Sequence, residues 1–514
     1  MDNTISSTAE YYHERTKYRP DNISGHSLDW SKKPPQFKEY PGAESIRLDD
    51  KLPFSSEGPV NLRDFPSANG ELSAEALARL LFFTNGVTGI MQQPGEYHYY
   101  RAAPSAGALY PTDIYLAIRN TPDIPSGIYN FHVRDHRLQR IAPVGFLPAD
   151  DELFEVLSKA TLGHPAIAKS DAILILSTIF LRSSWRYGQR AYRRCMLDTG
   201  HVFGNLAAYA PLEGFAATPI AGFVDKEVND LLGLDPAKEG ACVIAPLLAK
   251  DDCDVGDDFG LLRSSPYGGY EEVKEENLLN SLVTRSAIQR SSAALARALP
   301  DSSGTGRYGA SKLKSYSGVT LDSPPPPLHE ELRETILRRR STRAFSGNPI
   351  TLEQLGHLLE YAYRYDLAGE SYETPRYFDP LLLETWVIVH AVSGLQQGTY
   401  YYSPATRELK LVGKGDYRQQ THYLALGQEL ASDAAFVVIH TCDLPAAVER
   451  FGDRAYRMIH LDAGHIGQRL NLAAIALELG ASGIGGFFDE EVNSLLFIPE
   501  REACVYITCI GDPA

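Results

Sequence analysis

The spacing of apolar residues predicts a chain that mixes helices with buried strands. Behind a capping box at Thr351–Gln354, apolar residues recur at the period of an amphipathic helix. The segments 192–213 and 456–479 are apolar on nearly every helical face, which predicts two helices buried on all sides. Continuous apolar or β-branched runs, which are typical of buried strands, occur at 173–180, 436–441 and 503–510.

The chain contains one internal repeat. Residues 192–209 (YRRCMLDTGHVFGNLAAY) match residues 456–473 (YRMIHLDAGHIGQRLNLA) at an offset of 264. The same offset relates 219–225 to 483–489, and further matched blocks keep the same order along the chain. A period of this length exceeds that of a solenoid repeat, so each copy is predicted to be a whole domain.

The repeat divides the chain into four predicted segments. They are an N-terminal arm without clear periodicity (1–59), a first domain (60–255), a linker (256–329) and a second domain (330–514). The linker holds a helix-like run and the tetraproline Pro324–Pro327, which is typical of a stiff spacer. If each domain buries its apolar helix against the other, the two form a dimer within one polypeptide. The predicted fold class is α+β, with two equivalent domains.

Composition narrows the function classes. The net charge of −16 argues against a binder of nucleic acid or of anionic membrane surfaces. No apolar run approaches the ~20 residues that cross a bilayer, and the first twenty residues lack the apolar core of a secretory signal. The six cysteines form neither a CxxC pair nor a zinc spacing, so no metal site is predicted and a reduced, cytoplasmic setting is favoured.

Three short motifs carry candidate chemistry, and each also has a purely structural interpretation. Arg338–Phe345 gathers four arginines and a serine, which suits a phosphate dianion or solvated arginines at a helix end. Pro104–Pro111 (PSAGALYP) is a small-residue loop that either approaches a flat ligand or simply turns the chain. Gly480–Gly486 follows the second apolar helix; a helix C-cap explains its first glycine but not the glycine pair at its end.

Together these motifs resemble the nitroreductase superfamily, most closely its SagB-type branch of flavin-dependent azoline dehydrogenases. The resemblance covers both copies. Members of this branch typically have the sequence PSAGALYP in the loop that corresponds to Pro104–Pro111, as this chain does. It implies domains in which helices surround a central, mainly antiparallel sheet, with FMN as the cofactor. An arginine cluster suited to one terminal phosphate and the lack of a dinucleotide fingerprint also favour FMN over FAD or NAD.

The two copies differ in a way that implies one complete flavin site. At the local offset of 278, residues 339–343 correspond to Asn61–Phe65, which has lost the phosphate-binding residues. Conversely, Arg376–Leu383 lacks the serine and glycine of the 104–111 loop. A family site combines the arginine segment of one subunit with the small-residue loop of the other. The resemblance therefore implies one FMN, held between the two domains of this chain.

The resemblance also assigns cofactor-binding roles to residues of both copies. Arg343 would place a cation near flavin N1 and O2, where it favours the reduced ring, and Gly485 and Gly486 would face N5. The remaining candidates would hold the phosphate, the faces of the ring and the pyrimidine edge: Arg339, Arg340 and Ser341; Pro104, Ser105, Ala106, Gly107, Leu109 and Ile484; and Gln428.

The substrate side departs from the family pattern. SagB-type members commonly carry a Lys-Tyr pair before the long helix, thought to act in proton removal, and the pair here is Arg186-Tyr187. Arginine stays protonated and is a poor general base. Arg186 and Tyr187 are the catalytic candidates at this position, and an arginine in place of the lysine argues against azoline oxidation. His201 and His465 occupy matching mid-helix positions, which favours a structural role at the domain interface.

Three functions stay open on these grounds. The first is SagB-like dehydrogenation of a heterocycle-containing peptide or a related small molecule through flavin N5. The second is NAD(P)H-dependent reduction of nitroaromatics or quinones, with NAD(P)H as an additional partner. The third is flavin binding without catalysis, since one of the two sites has decayed. Association of the fused dimer into larger oligomers is also left open.

Overall fold

The computed structural model describes residues 5–23, 28–52, 62, 70–93, 95–119, 121, 123–141, 150–249, 269–289, 313, 316–321, 332–363 and 382–514. The sequence predictions for Asn61, Phe65, the tetraproline and residues 376–381 lie outside these ranges. Within them the chain forms two seven-stranded sheets, a two-stranded hairpin and a further two-stranded pair. None of the described helices is both long enough and apolar enough to cross a membrane.

The first sheet has the strand order β1-β6-β5-β4-β7-β9-β8, and all its neighbours are antiparallel. Its strands, with the hairpin β2–β3, are β1 (Ser45–Arg47), β2 (Val87–Gln93), β3 (Glu96–Arg101), β4 (Thr112–Ile118), β5 (Gly127–His132), β6 (Arg137–Ile141), β7 (Ala172–Ile179), β8 (Phe215–Ala217) and β9 (Glu239–Ala249). The accompanying helices are α1 (Thr8–Arg15), α2 (Ala74–Asn85), α3 (Asp150–Ala160), α4 (Pro165–Lys169), α5 (Phe180–Tyr187), α6 (Ala191–Tyr209), α7 (Asp225–Leu232) and α8 (Leu278–Ser286).

The second sheet repeats this topology as β10-β15-β14-β12-β16-β18-β17, again antiparallel throughout. Its strands, with the short pair β11–β13, are β10 (Gly318–Thr320), β11 (Ile350–Thr351), β12 (Glu384–Val389), β13 (Val392–Ser393), β14 (Gly398–Ser403), β15 (Glu408–Lys414), β16 (Phe436–Asp443), β17 (Gly480–Ile484) and β18 (Glu502–Gly511). The helices are α9 (Leu332–Arg338), α10 (Leu352–Tyr363), α11 (Arg418–Leu424), α12 (Glu429–Asp433), α13 (Leu444–Phe451), α14 (Ala455–Ala476) and α15 (Asp489–Leu496). The predicted α+β fold with two equivalent, antiparallel domains is confirmed.

The long helices α6 and α14 pack against each other through two glycines. A Cβ atom on Gly200 would lie 2.2 Å from the carbonyl oxygen of Leu461. Reciprocally, a Cβ atom on Gly464 would lie 2.2 Å from the carbonyl oxygen of Leu197. Each contact is the other displaced by 264 residues, as expected for two domains related by a pseudo-twofold axis. The predicted dimer within one polypeptide is therefore confirmed, with the two apolar helices at its interface.

Two buried ion-pair clusters obey the same symmetry. Asp489 of the second domain accepts hydrogen bonds from Arg190 and Arg193 of the first, at 2.8 and 2.7 Å. The residues 264 positions away form the reciprocal cluster around Asp225, at 2.6 and 2.7 Å. Burial works to raise the pKa of each carboxyl, but the facing arginines outweigh it and lower that pKa. Both carboxylates stay ionised, so each domain holds the other through a buried charge cluster.

The arm and the linker add equivalent elements to the two domains. After α1, the backbone N–H of Tyr18 donates to Asp489 at 3.0 Å, and after α8 that of Ile288 donates to Asp225 at 2.8 Å. The edge strands β1 and β10 come from the same two segments. Helix α1 is too short to show a period in the sequence, yet Ser7 caps its N-terminus by accepting from the Glu10 N–H.

The glycine contact at the helix crossing predicts a large difference between two similar substitutions. Gly200→Ala improves helix propensity by about 1 kcal/mol, but its methyl group must displace the backbone of α14. We expect a net loss of stability of about 1–3 kcal/mol. Gly356→Ala is the control, because among the described residues its Cβ would meet only Leu321, at 3.7 Å, an ordinary contact. Thermal unfolding should rank Gly200→Ala below wild type and Gly356→Ala at or above it; equal midpoints would contradict the close crossing.

Candidate active site

A cavity of about 370 Å³ lies where the two domains meet. This volume is within the range of small-molecule and cofactor sites. The first domain and its arm contribute Gln36, Met91, His98, Tyr99, Tyr100, Pro104, Ser105, Ala106, Gly107, Ala108, Arg186, Arg194, Leu197, Asp198 and His201. The second domain contributes Ser341, Arg343, Asn471, Ser482, Gly483, Gly485 and Tyr506.

The loop at 104–111 enters the cavity in an unusual backbone conformation. Gly107, Ala108 and Tyr110 all have positive φ, at 64°, 53° and 48°. Such angles cost energy for alanine and tyrosine, and strain of this kind clusters at ligand sites. Asp198 of α6 holds the loop in place, because its carboxylate accepts from the Ser105 hydroxyl at 2.5 Å and from the Ala106 N–H at 3.2 Å.

Two glycines that line the cavity allow a tyrosine hydroxyl of the same domain to approach the backbone closely. A Cβ atom on Gly107 would lie 2.7 Å from the hydroxyl of Tyr187, and one on Gly483 would lie 1.8 Å from the hydroxyl of Tyr506. Larger residues at either position would therefore change the shape of the cavity. The Tyr187 hydroxyl therefore leaves no room for a side chain at position 107. Gly107 is required for this steric reason as well as for its positive φ.

His201 connects the two domains beneath the cavity. Its Nε2 lies 2.9 Å from the Tyr506 hydroxyl, and its Nδ1 lies 3.1 Å from Oε1 of Gln468. Burial lowers the pKa of His201 to about 3, so the imidazole is neutral. A neutral, doubly hydrogen-bonded imidazole between domains agrees with the structural role that its mid-helix position suggested.

The arginine segment divides between two tasks. Arg339 is buried and donates to the carbonyl oxygens of Ala102 and Arg101, at 2.7 and 2.9 Å. Arg340 donates to the carbonyl oxygen of Thr88 at 2.9 Å. Both side chains thus attach the second domain to the β2–β3 hairpin and the strand end of the first. Ser341 and Arg343 instead line the cavity.

The remaining predicted residues surround the cavity to different degrees. Pro104, Ser105, Ala106, Gly107, Arg186 and Gly485 line it together with Ser341 and Arg343. Leu109 and Ile484 are buried and are not among the lining residues. Gln428 precedes α12, and its amide donates to the Ala425 carbonyl oxygen at 2.8 Å; it is not among the lining residues. Tyr187 and Gly486 are not among them either, but both lie near Arg194. The guanidinium carbon of Arg194 is 3.9 Å from the Tyr187 ring centre, and a Cβ atom on Gly486 would lie 3.5 Å from its Nη2.

Among the lining residues outside the sequence motifs are two charged side chains, Asp198 and Arg194. Burial raises the pKa of Asp198 from 3.8 to about 7, although the Ser105 and Ala106 hydrogen bonds and the charge of Arg194 oppose the shift. Perturbed carboxyls of this kind are typical of functional sites. The repeat concealed Asp198, because both copies carry an aspartate there. It did offer a signal for Arg194, whose partner position in the second copy is Met458.

Comparison with known proteins identifies this fold and its tandem arrangement. The model of the nitroreductase family matches residues 67–246 and 336–512. A solved structure from Anabaena variabilis ATCC 29413, described as a nitroreductase, is 39% identical, covers 99% of this chain and 100% of its own, and superimposes with a TM-score of 0.86. MJ1384 of Methanocaldococcus jannaschii, named as a nitroreductase, is 29% identical over 36% of this chain and 93% of its own length. The microcin B17-processing protein McbC of Escherichia coli is 27% identical over 42% of this chain and 75% of its own.

The shifted pKa of Asp198 predicts a pH-dependent stability. Between pH 5 and 7 the unfolded carboxyl is ionised, whereas the folded carboxyl still holds its proton, so folding becomes less favourable as the pH rises through this window. The amide of an Asp198→Asn variant does not titrate. We expect the unfolding free energy of the variant, relative to wild type, to rise by about 2–3 kcal/mol from pH 5 to pH 8. Urea unfolding of the flavin-free protein measures this, and a difference that is constant with pH would refute it.

Proposed function

The chain belongs to the nitroreductase family, and we propose that it is an FMN-dependent oxidoreductase with one composite flavin site between its domains. One observation carries the proposal. A single cavity combines the 104–108 loop of the first domain with Ser341, Arg343 and Gly485 of the second. A family site requires these same parts from two different subunits, and here one chain supplies both.

The residues present suit FMN. Ser341 offers a hydroxyl and Arg343 an exposed guanidinium that forms no hydrogen bond with the described residues, so both are available to a terminal phosphate or to the pyrimidine edge. Gly107 and Gly483 line the cavity without a side chain, so a flat ring system can approach their backbone closely. Arg339 and Arg340 would support the site indirectly, by fixing the hairpin whose aromatic residues line the cavity.

Bound FMN would supply a hydride acceptor or donor at N5. The backbone of Gly485 would stand next to that atom, and the 104–108 loop would cover the ring and exclude water. Asp198 is placed to take up or release a proton within the same cavity, because its pKa of about 7 keeps both protonation states populated near neutral pH. The hydroxyl of Tyr187, beside the loop, is a second candidate for proton transfer after Asp198.

Different features of the chain support two directions of the reaction. The sequence of the 104–111 loop and the likeness to McbC support a dehydrogenase that acts on a peptide or on a related small molecule. Arg186, in place of the lysine that SagB-type members carry, supports a reductase that takes electrons from NAD(P)H. We propose the dehydrogenase as the first candidate and the reductase as the second.

The composite site predicts one FMN per chain, and not two. The cofactor released by heat should chromatograph as FMN. After saturation, the protein should hold close to one FMN per chain. Arg343→Ala removes a charge-assisted hydrogen bond, worth about 1.5–3 kcal/mol, so FMN should bind at least roughly tenfold more weakly. Arg338→Ala is the matched control, because this arginine pairs with Glu478 at 2.9 Å outside the cavity. Two flavins per chain, released FAD, or an unaffected Arg343→Ala variant would each argue against the site.

Anaerobic mixing of the FMN-loaded protein with NADPH separates the two directions. A dehydrogenase that reduces its flavin only with substrate should keep its 450 nm absorbance for many minutes, as any FMN protein without a matching donor does. Rapid bleaching would support the NAD(P)H reductase instead. Reduction by dithionite in the same cuvette is the control, because it shows that the bound flavin can be reduced.

A further inference from the structure

Arg194 is a charged residue of the cavity that the proposed flavin site leaves without a role. Its side chain is only 5% exposed, and it lines the cavity between the two domains. It forms no hydrogen bond and no ion pair with any described residue, and its Nη1 is fully buried. A buried guanidinium is unfavourable unless an anion or several acceptors compensate it. The compensating group is therefore expected to come from a ligand.

The carboxyl of Asp198 compensates the charge of Arg194 only in part. Asp198 lies one helical turn further along α6, and the charge of Arg194 acts to lower its pKa, but burial still raises that pKa to about 7. No salt bridge joins the two side chains, because the oxygens of Asp198 accept from Ser105 and Ala106 of the loop. Arg186 and Arg343 also line the cavity, so the described lining residues include three arginines and one carboxyl. His201 adds no charge, because burial holds its pKa at about 3. The cavity is thus positively charged within a chain of net charge −16.

The internal repeat shows that the helix interface does not need an arginine at this position. The neighbouring Arg190 and Arg193 have arginine counterparts 264 residues away, and both pairs serve the reciprocal ion-pair clusters. Arg194 instead corresponds to Met458, which is 1% exposed in the equivalent helix. Likewise Tyr187, on which Arg194 stacks, corresponds to Phe451. The polar pair therefore belongs to the complete site alone.

We propose that Arg194 binds the carboxylate of an organic-acid substrate beside the flavin, with Arg186 as a second cation nearby. One face of the guanidinium lies against the Tyr187 ring at 3.9 Å, and Nη1 is buried, which leaves the edge formed by Nε and Nη2 for two parallel hydrogen bonds to a planar carboxylate. Arg343 and Ser341 are the groups assigned to FMN, so Arg194 and Arg186 are the cations left for the substrate. This inference rests on the proposed flavin site and adds the chemical class of the substrate to it.

Titration of the FMN-loaded, full-length protein with benzoate and with benzamide tests the proposal. The two probes have nearly the same shape, and both perturb the flavin absorbance if they lie against the ring, but only benzoate is an anion. We expect benzoate to bind at least tenfold more tightly than benzamide. Inorganic phosphate should compete at least tenfold more weakly than benzoate, because it lacks the planar carboxylate and the ring.

Substitutions at Arg194 test whether this residue is the one that binds the carboxylate. Arg194→Met copies the side chain of the second domain and should weaken benzoate binding at least tenfold, while benzamide binding, FMN content and melting temperature stay unchanged. Arg194→Lys should recover part of the benzoate affinity. Arg450→Met is the matched control, because Arg450 lies over the Phe451 ring at 4.8 Å in the other domain, and it should bind benzoate as wild type does.

The opposing outcomes are distinct. Equal affinities for benzoate and benzamide, competition by phosphate as strong as by benzoate, or an Arg194→Met variant that binds benzoate normally would overturn the carboxylate assignment. Loss of FMN from Arg194→Met would assign the arginine to the flavin, and would overturn it too. A wild-type protein that binds no FMN at all would overturn the proposed function itself, and FMN content, measured first, separates that failure from the others.

Discussion

Backbone contact between α6 and α14 sets the distance between the two domains, and the rest of the molecule depends on it. At Gly200 and Gly464 each helix lies against the carbonyl oxygen of the other, so no side chain can separate them. The buried clusters around Asp225 and Asp489 then fix the rotation of one domain on the other. Helices at this separation bring the 104–108 loop of one domain opposite the Gly483–Gly485 segment of the other, which is the condition for a shared cavity.

The symmetric framework carries an asymmetric site. Residues that build the framework occur in both copies, because each domain must bury the same helix and neutralise the same charges. Residues that face the cavity differ between copies, as Arg194 and Met458 or Tyr187 and Phe451 do. Loss of a ligand-facing side chain costs little stability when the new residue packs well, so residues on this side of the helices can differ between the copies while the helix interface is retained.

Arginines perform three different tasks within a short distance of each other. In the α6 region, Arg190 and Arg193 neutralise Asp489, whereas Arg194 faces the cavity. After α9, Arg339 satisfies backbone carbonyls of the first domain, and Arg343 faces the cavity. A guanidinium binds carboxylates, carbonyls and phosphates with the same N–H groups. Its task is therefore set by the acceptor within reach and not by the residue type.

The sequence by itself determined the two copies, their α+β class, the two buried helices and the family, because apolar periodicity and repeated motifs are local properties of the chain. It also indicated that the 104–111 loop and the segment containing Ser341 and Arg343 belong to one site. Only the tertiary structure decided that Arg339 and Arg340 hold the hairpin, that the arm after α1 donates to Asp489 of the second domain, and that Asp198 is a buried acid with a raised pKa. These properties depend on acceptors, burial and charges supplied by residues hundreds of positions away, and no local pattern records them.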